Sequence, residues 1–287
     1  MIVLLKKFPL LCFFSKLFLD SFIILKFNLI NYSFNSREFS SFVKSLNKDK
    51  FLIFGSGESI NNISKGEFTS IKNNCITIGI GRWIYHDFVP DIYLFETDSI
   101  DSKIFEFTKD FITLVNQRVN DYKKTLILVD NAYDKPIVRK YILKNIDPKL
   151  SINIRFVKPF CPASGNVKFF IASLNFLKLL KFFNLSLHCR STTIHAICFG
   201  LIFGFKDIIL AGVDGYTGYF SDNPNFHKDF GNLDKSYNYD LHCTSNPKYG
   251  LPTVPDCIFA LNNMYCNISV LDKNTVLYPE IGIFSID

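Results

Sequence analysis

The sequence predicts an α/β fold, a parallel sheet with helices on both faces, and three observations predict it. Short apolar runs recur from residue 50 onward, as strands buried on both faces would. Helix-length segments separate them, the spacing that parallel crossovers need. Two runs end in glycine-rich turns, GSG at 55–57 and GVDG at 212–215, where a strand's carboxyl end would open onto a ligand crevice. Together these describe a Rossmann-like core with a loop-rich lid.

Residues 51–54 are the first buried run, 75–80 and 92–95 the next two, and 125–129 (TLILV) a fourth. A helical pattern lies around 135–143. The stretch 167–183 is apolar all round, as a buried helix would be, and 192–203 is a second such helix, followed by a strand at 207–211. Between 215 and 255 the composition turns to Asn, Asp, Tyr, Lys, Gly and Pro. A polar segment this long inside an α/β domain reads as a lid or binding loop. A helix at 256–264, a strand at 268–271 and a short tail complete the chain.

Residues 1–45 form an apolar segment ahead of a domain spanning 46–287. Lys6, Lys7, Lys16, Asp20 and Lys26 interrupt it, so no uncharged stretch of about 18 residues is available to cross a bilayer. Lys6-Lys7 followed by an apolar run loosely imitates a signal peptide, but no small-residue cleavage site follows. Two readings remain, an interfacial helix on a membrane surface or a helix packed on the core.

With 48% hydrophobic residues, 32 of them Phe among 287, the chain has ample material for one large core and is not a disordered protein. The formal charge of +6 suits an anionic substrate or an anionic membrane surface. No dense basic stripe with interleaved aromatics occurs, so nucleic acid is not an expected partner. None of the eight cysteines forms a C-x-x-C pair, which removes zinc-ligand spacing and points to reduced thiols of a cytoplasmic protein.

Three motifs carry chemistry. In FLIFGSGESI (51–60), a strand running into Gly55-Ser56-Gly57 and then a helix would let backbone approach a phosphate or ribose. The same text serves equally as a plain strand–turn–helix. It lacks a third glycine, and Glu58 is unfavourable beside a pyrophosphate. In residues 190–216, Arg190 precedes Ser191, Thr192 and Thr193, good caps for the apolar helix that follows. A guanidinium, hydroxyls and free helix N–H groups then share one place, an anion site. Asp214 leaves the carboxyl end of the next strand, where it would help bind the donor. Tyr216 and Tyr219 offer neutral phenols to a leaving phosphate, and His242 offers an imidazole to take a proton from an acceptor hydroxyl.

The order GSGES, RSTT opening an apolar helix, GFKDIILAGVDGY, a further Tyr and a loop His resembles glycosyltransferase family forty-two. Those are the bacterial CMP-sialic acid-dependent sialyltransferases that decorate lipooligosaccharide. It is also similar to the pterin-pyrophosphokinase-like proteins sharing their core. The resemblance spans roughly residues 50–275 and implies a GT-A-like single nucleotide-binding domain. It implies that Gly55, Ser56 and Gly57 form the donor loop, that Arg190 is the active-site arginine, and that Thr192 and Thr193 contact the donor. It further implies that Tyr216 and Tyr219 hold the leaving phosphate, that His242 is the base, and that neither metal nor cofactor is needed. The implied partners are a CMP-activated sugar and a glycan or lipid-linked glycan acceptor. A membrane surface and a homo-oligomer stay open.

The departures gather at donor recognition. Ser56 and Glu58 replace Asn and Pro, Gly81-Arg82 replaces an Asn-Gln pair, and Thr97 stands where an amide is expected. Arg82 would suit the carboxylate of another acidic sugar. Two other readings remain. Glu96-Thr97-Asp98 has the acid-x-Asp form of a metal site, which would suit a metal-dependent nucleotide-sugar transferase or a pyrophosphokinase-like enzyme. A non-catalytic nucleotide-binding protein on the same fold is the third.

Overall fold

The computed structural model describes residues 34–97, 104–130, 136–160, 171, 174–175, 185–187, 191–215 and 253–285. Its centre is an open, wholly parallel sheet of eight strands. They are β1 (Lys50–Phe54), β2 (Cys75–Ile80), β3 (Ile92–Glu96), β4 (Leu126–Asp130), β5 (Ile154–Phe156), β8 (Asp207–Ala211), β9 (Asn267–Val270) and β10 (Gly282–Ile283). Two further short strands, β6 (Lys158–Phe160) and β7 (Leu185–Leu187), pair apart from it. The central strands are apolar on both sides because helices cover both sides, as the sequence predicts.

Alternation along β1 shows the two layers. Phe51 and Ile53 face one cluster with α1 (Ser36–Leu46), α7 (Thr192–Ile202) and α8 (Val254–Met264). Leu52 and Phe54 face the other, with α2 (Lys65–Asn74), α3 (Ile104–Gln117) and α5 (Pro136–Asn145). The short helices α4 (Val119–Tyr122) and α6 (Pro148–Ser151) complete the second layer through Tyr122 and Leu150. All residues of α7 from Ile194 to Ile202 are buried, which explains an apolar pattern with no polar face.

The strand order is β10-β9-β8-β1-β2-β3-β4-β5. The chain winds outward from β1 to β5, crosses back, and winds outward again from β8 to β10. The winding therefore reverses between β1 and β8, and their carboxyl ends flank a topological switch point.

Several boundaries and elements differ from the sequence expectation. The turn at 55–57 leads into a five-residue 3-10 helix (Glu58–Asn62), not an α-helix, so it lacks the aligned dipole and ladder of free N–H groups expected there. The short tail carries β10. Residues 34–46 join the core: Phe34 and Phe39 pack against Phe199 and Phe203, and the Phe34 N–H donates to the Phe156 carbonyl on β5 at 2.9 Å. The helix expected at 167–183 lies mostly outside the described residues, as do the lid at 216–252 and residues 1–33. Among the described residues no helix is long and apolar enough to cross a membrane.

Candidate functional site

The carboxyl edge of the sheet brings the predicted loops together. Gly55 N–H donates to the Ala211 carbonyl at 2.7 Å, and Gly57 N–H to the Gly212 carbonyl at 2.8 Å. The turns after β1 and β8 are thus seated on each other across the switch point. A Cβ on Gly57 would collide with the Asp214 carboxylate, so glycine here is a packing requirement.

Asp214 is the bolt of this seam. Its Oδ2 accepts the Ser59 N–H at 2.8 Å and its Oδ1 the Ser59 hydroxyl at 2.5 Å. Burial raises the Asp214 carboxyl above the usual range, and the two Ser59 hydrogen bonds pull it back in part. The sequence suggests Asp214 for the donor; the structure places its carboxylate on Ser59, tying the 3-10 helix to the end of β8.

Ser56 does comparable work toward β2. Its hydroxyl accepts the Arg82 N–H at 3.0 Å and reaches the Ile80 carbonyl at 3.4 Å. This sets Gly81-Arg82 beside the glycine turn, and the Tyr93 hydroxyl holds the Gly81 carbonyl at 2.5 Å from below. Gly55, Ser56, Gly57 and Arg82 therefore share one stretch of edge.

The helix α7 supplies the third side. Ser191 is its N-cap, its side chain accepting the Ile194 N–H at 3.1 Å, and Thr192 and Thr193 form the first turn, half-buried at the edge. The Thr192 hydroxyl donates to Glu96 Oε2 at 2.5 Å, so a carboxylate from the end of β3 already stands at the positive end of the helix. Thr97 is buried, and both its N–H and its hydroxyl donate to the Asp130 carbonyl, at 3.1 and 2.9 Å. Its side chain is spent on β4. One turn into α7, His195 Nδ1 lies 2.7 Å from Asp130 Oδ2, with both side chains fully buried.

Glu96 belongs to the alternative, metal-dependent reading of the sequence. Asp98 lies outside the described residues, and no group of three His, Cys, Asp or Glu side chains gathers among those described. Arg190, Tyr216, Tyr219 and His242 likewise lie outside them. The structure therefore joins Gly55, Ser56, Gly57, Arg82, Thr97, Thr192, Thr193 and Asp214 along one edge and leaves the four expected catalytic side chains undescribed.

Asp130, His195 and Ser59 were not anticipated. A histidine inside IHAICFGLIF reads as core, but a buried imidazole needs a polar partner, and an acid ending a buried strand (LILVD) is the natural one to seek. A cavity of about 310 Å³ opens on the other side of β8, lined by Ser59, Asn62, Glu67, Gly212, Asp272 and Phe284 among others. Its charged lining, Glu67 and Asp272, is acidic, which disfavours an anionic ligand there.

No protein-family model and no curated protein matches the chain. Among solved structures, it is similar to the sialyltransferase CstII from Campylobacter jejuni in complex with a substrate analogue, CMP-3FNeuAc. The identity is 15%, the match covers 82% of this chain and 87% of that one, and the TM-score is 0.45. A likeness at that level carries no argument about chemistry.

Proposed function

We propose that the chain is a nucleotide-sugar glycosyltransferase, moving sialic acid or a related acidic sugar from a CMP-activated donor to a glycan acceptor with inversion. The observation that supports it is the strand order. β1 and β8 flank the reversal of winding, so the two glycine turns of the motif order sit on one edge beside the start of α7.

On this reading the donor lies over Gly55–Gly57, with Arg82 toward the sugar carboxylate. Thr192 is occupied by Glu96, so Thr193 and the first N–H groups of α7 are the groups offered to the phosphate. Arg190 completes the anion site. Tyr216 and Tyr219 stabilise the departing CMP while His242 takes the proton from the acceptor hydroxyl. A lipid-linked acceptor would give the apolar residues 1–33 a role at the membrane surface.

A thermal-shift panel of CMP, CDP, UDP, GDP and a pterin tests the donor class. CMP at a hundredfold excess over its Kd is expected to raise Tm by about 5 °C, the others by less. An equal response to all five, or none, overturns the CMP assignment. In a transfer assay, His242→Ala is expected to lower turnover by about 10²-fold or more while CMP affinity holds. Unchanged turnover would remove His242 as the base.

A further inference from the structure

We infer that Asp130 and His195 are positioning residues, a buried clamp that sets the height of the α7 N-terminus against the carboxyl edge and thereby sets the affinity for an anionic nucleotide. The inference deepens the proposed function and rests on it for the identity of the ligand, though not for the clamp itself.

Asp130 ends β4 and holds both neighbours at once. Its carbonyl receives the N–H and hydroxyl of Thr97, at the end of β3, and its carboxylate lies 2.7 Å from His195 Nδ1. Three residues before His195, which is one turn of helix, Thr192 is fastened to Glu96 at 2.5 Å. The ends of β3, β4 and α7 are therefore joined by two rungs one turn apart. A single rung would leave the helix able to pivot; two fix its tilt and its axial position. The lower rung is fully buried on both sides, where a polar contact is strongest and where losing one partner costs most.

The placement has a purpose beyond packing. An apolar side chain at position 195 would fit a helix whose other residues from 194 to 202 are all apolar, and would avoid desolvating an imidazole and a carboxylate together. Apolar packing alone lets a helix slide along its axis, whereas sliding here would pull apart two buried polar groups that lie 2.7 Å from each other. Free N–H groups bind an anion only within a few tenths of an ångström of the right distance, so axial position is what a phosphate site must hold constant.

The test uses the full chain and CMP as the probe. His195→Leu removes the lower rung, and His195→Asn restores an amide donor near the position of Nδ1. Calorimetric titration is expected to show CMP affinity falling about tenfold or more in His195→Leu while the protein still melts cooperatively, and largely recovering in His195→Asn. A leucine variant that binds CMP as wild type does overturns the inference, as does a loss that asparagine fails to rescue.

Should the leucine variant not fold, hydrogen exchange on the wild-type chain decides. The amides of Thr97 and Ile194, on opposite sides of the clamp, are expected to exchange only through global unfolding. Rapid exchange at either overturns it. If wild type binds no CMP, the donor assignment fails, and exchange still judges the clamp.

Discussion

Gly55→Ala is expected to destabilise the protein by about 3 kcal/mol, the upper end of the usual range for overpacking. Gly55 is buried, and an added methyl group would land on the Gly212 carbonyl oxygen, with the Gly212 carbon at 3.0 Å and Val213 Cγ2 at 3.2 Å. The obstructing atoms are mainly backbone, which cannot rotate away as a flexible side chain would. Relief would require the ends of β1 and β8 to part. That breaks the hydrogen bonds from Gly55 to Ala211 and from Gly57 to Gly212, and pulls Ser59 from Asp214. Urea denaturation reads the effect as a lower midpoint at unchanged slope. A midpoint equal to that of wild type would mean that the seam opens at no cost, and that the mutual seating of the two turns does not constrain the edge.

Asp91→Ala is expected to cost about 3 kcal/mol, from the opposite edge of the sheet. Asp91 immediately precedes β3, and its Oδ2 accepts the Thr77 N–H at 3.0 Å and the Thr77 hydroxyl at 2.9 Å. Lys48 reaches the same oxygen at 3.4 Å, and Lys72 reaches Oδ1 at 3.0 Å. Lys72 is 43% exposed and screened by water, so most of the effect comes from Thr77 and the better-buried Lys48.

Burial alone would raise the Asp91 carboxyl, but Lys72, the Thr77 N–H and Lys48 together hold it below the usual range. The folded protein then releases this proton more readily than the unfolded chain. The stabilisation is complete above the unfolded carboxyl's range and drains away as pH falls through the lower folded value. Wild type should therefore lose stability below about pH 4 with a component that Asp91→Asn lacks. Identical acid slopes in the two proteins would refute the role given to Asp91.

Much of the fold is legible because the central strands are short apolar runs and each is buried on both faces. LILVD and DIILA read as strands for the same reason that they sit between helical layers. The start of α7 is legible from Ser191, whose cap is local chemistry. β5 is three residues long with Arg155 in the middle, too short for a periodic signal, and only its pairing with β4 makes it a strand.

The 3-10 helix after Gly57 is not legible, because ESINN carries no feature that separates one turn of helix from the start of several. Its first turn is held by Asp214, which is 155 residues away from Ser59. The clamp was hidden for the same reason, since Asp130 and His195 meet only once the sheet and its covering helix exist.

The central strand also sets a problem in time. Phe51 pairs with Ile76 on one side and with Ile208 on the other. A ribosome making this chain exposes β1 early and completes the wing from β2 to β5 long before residue 208 emerges. During that interval the strand FLIF, apolar toward both layers, has one open edge at the very middle of the future sheet. A nascent chain in that condition is a template for pairing with another chain, and its safe passage depends on chaperones or on slow local collapse of the wing. The strand that anchors the crevice is thus the one most exposed to misassembly before the crevice exists.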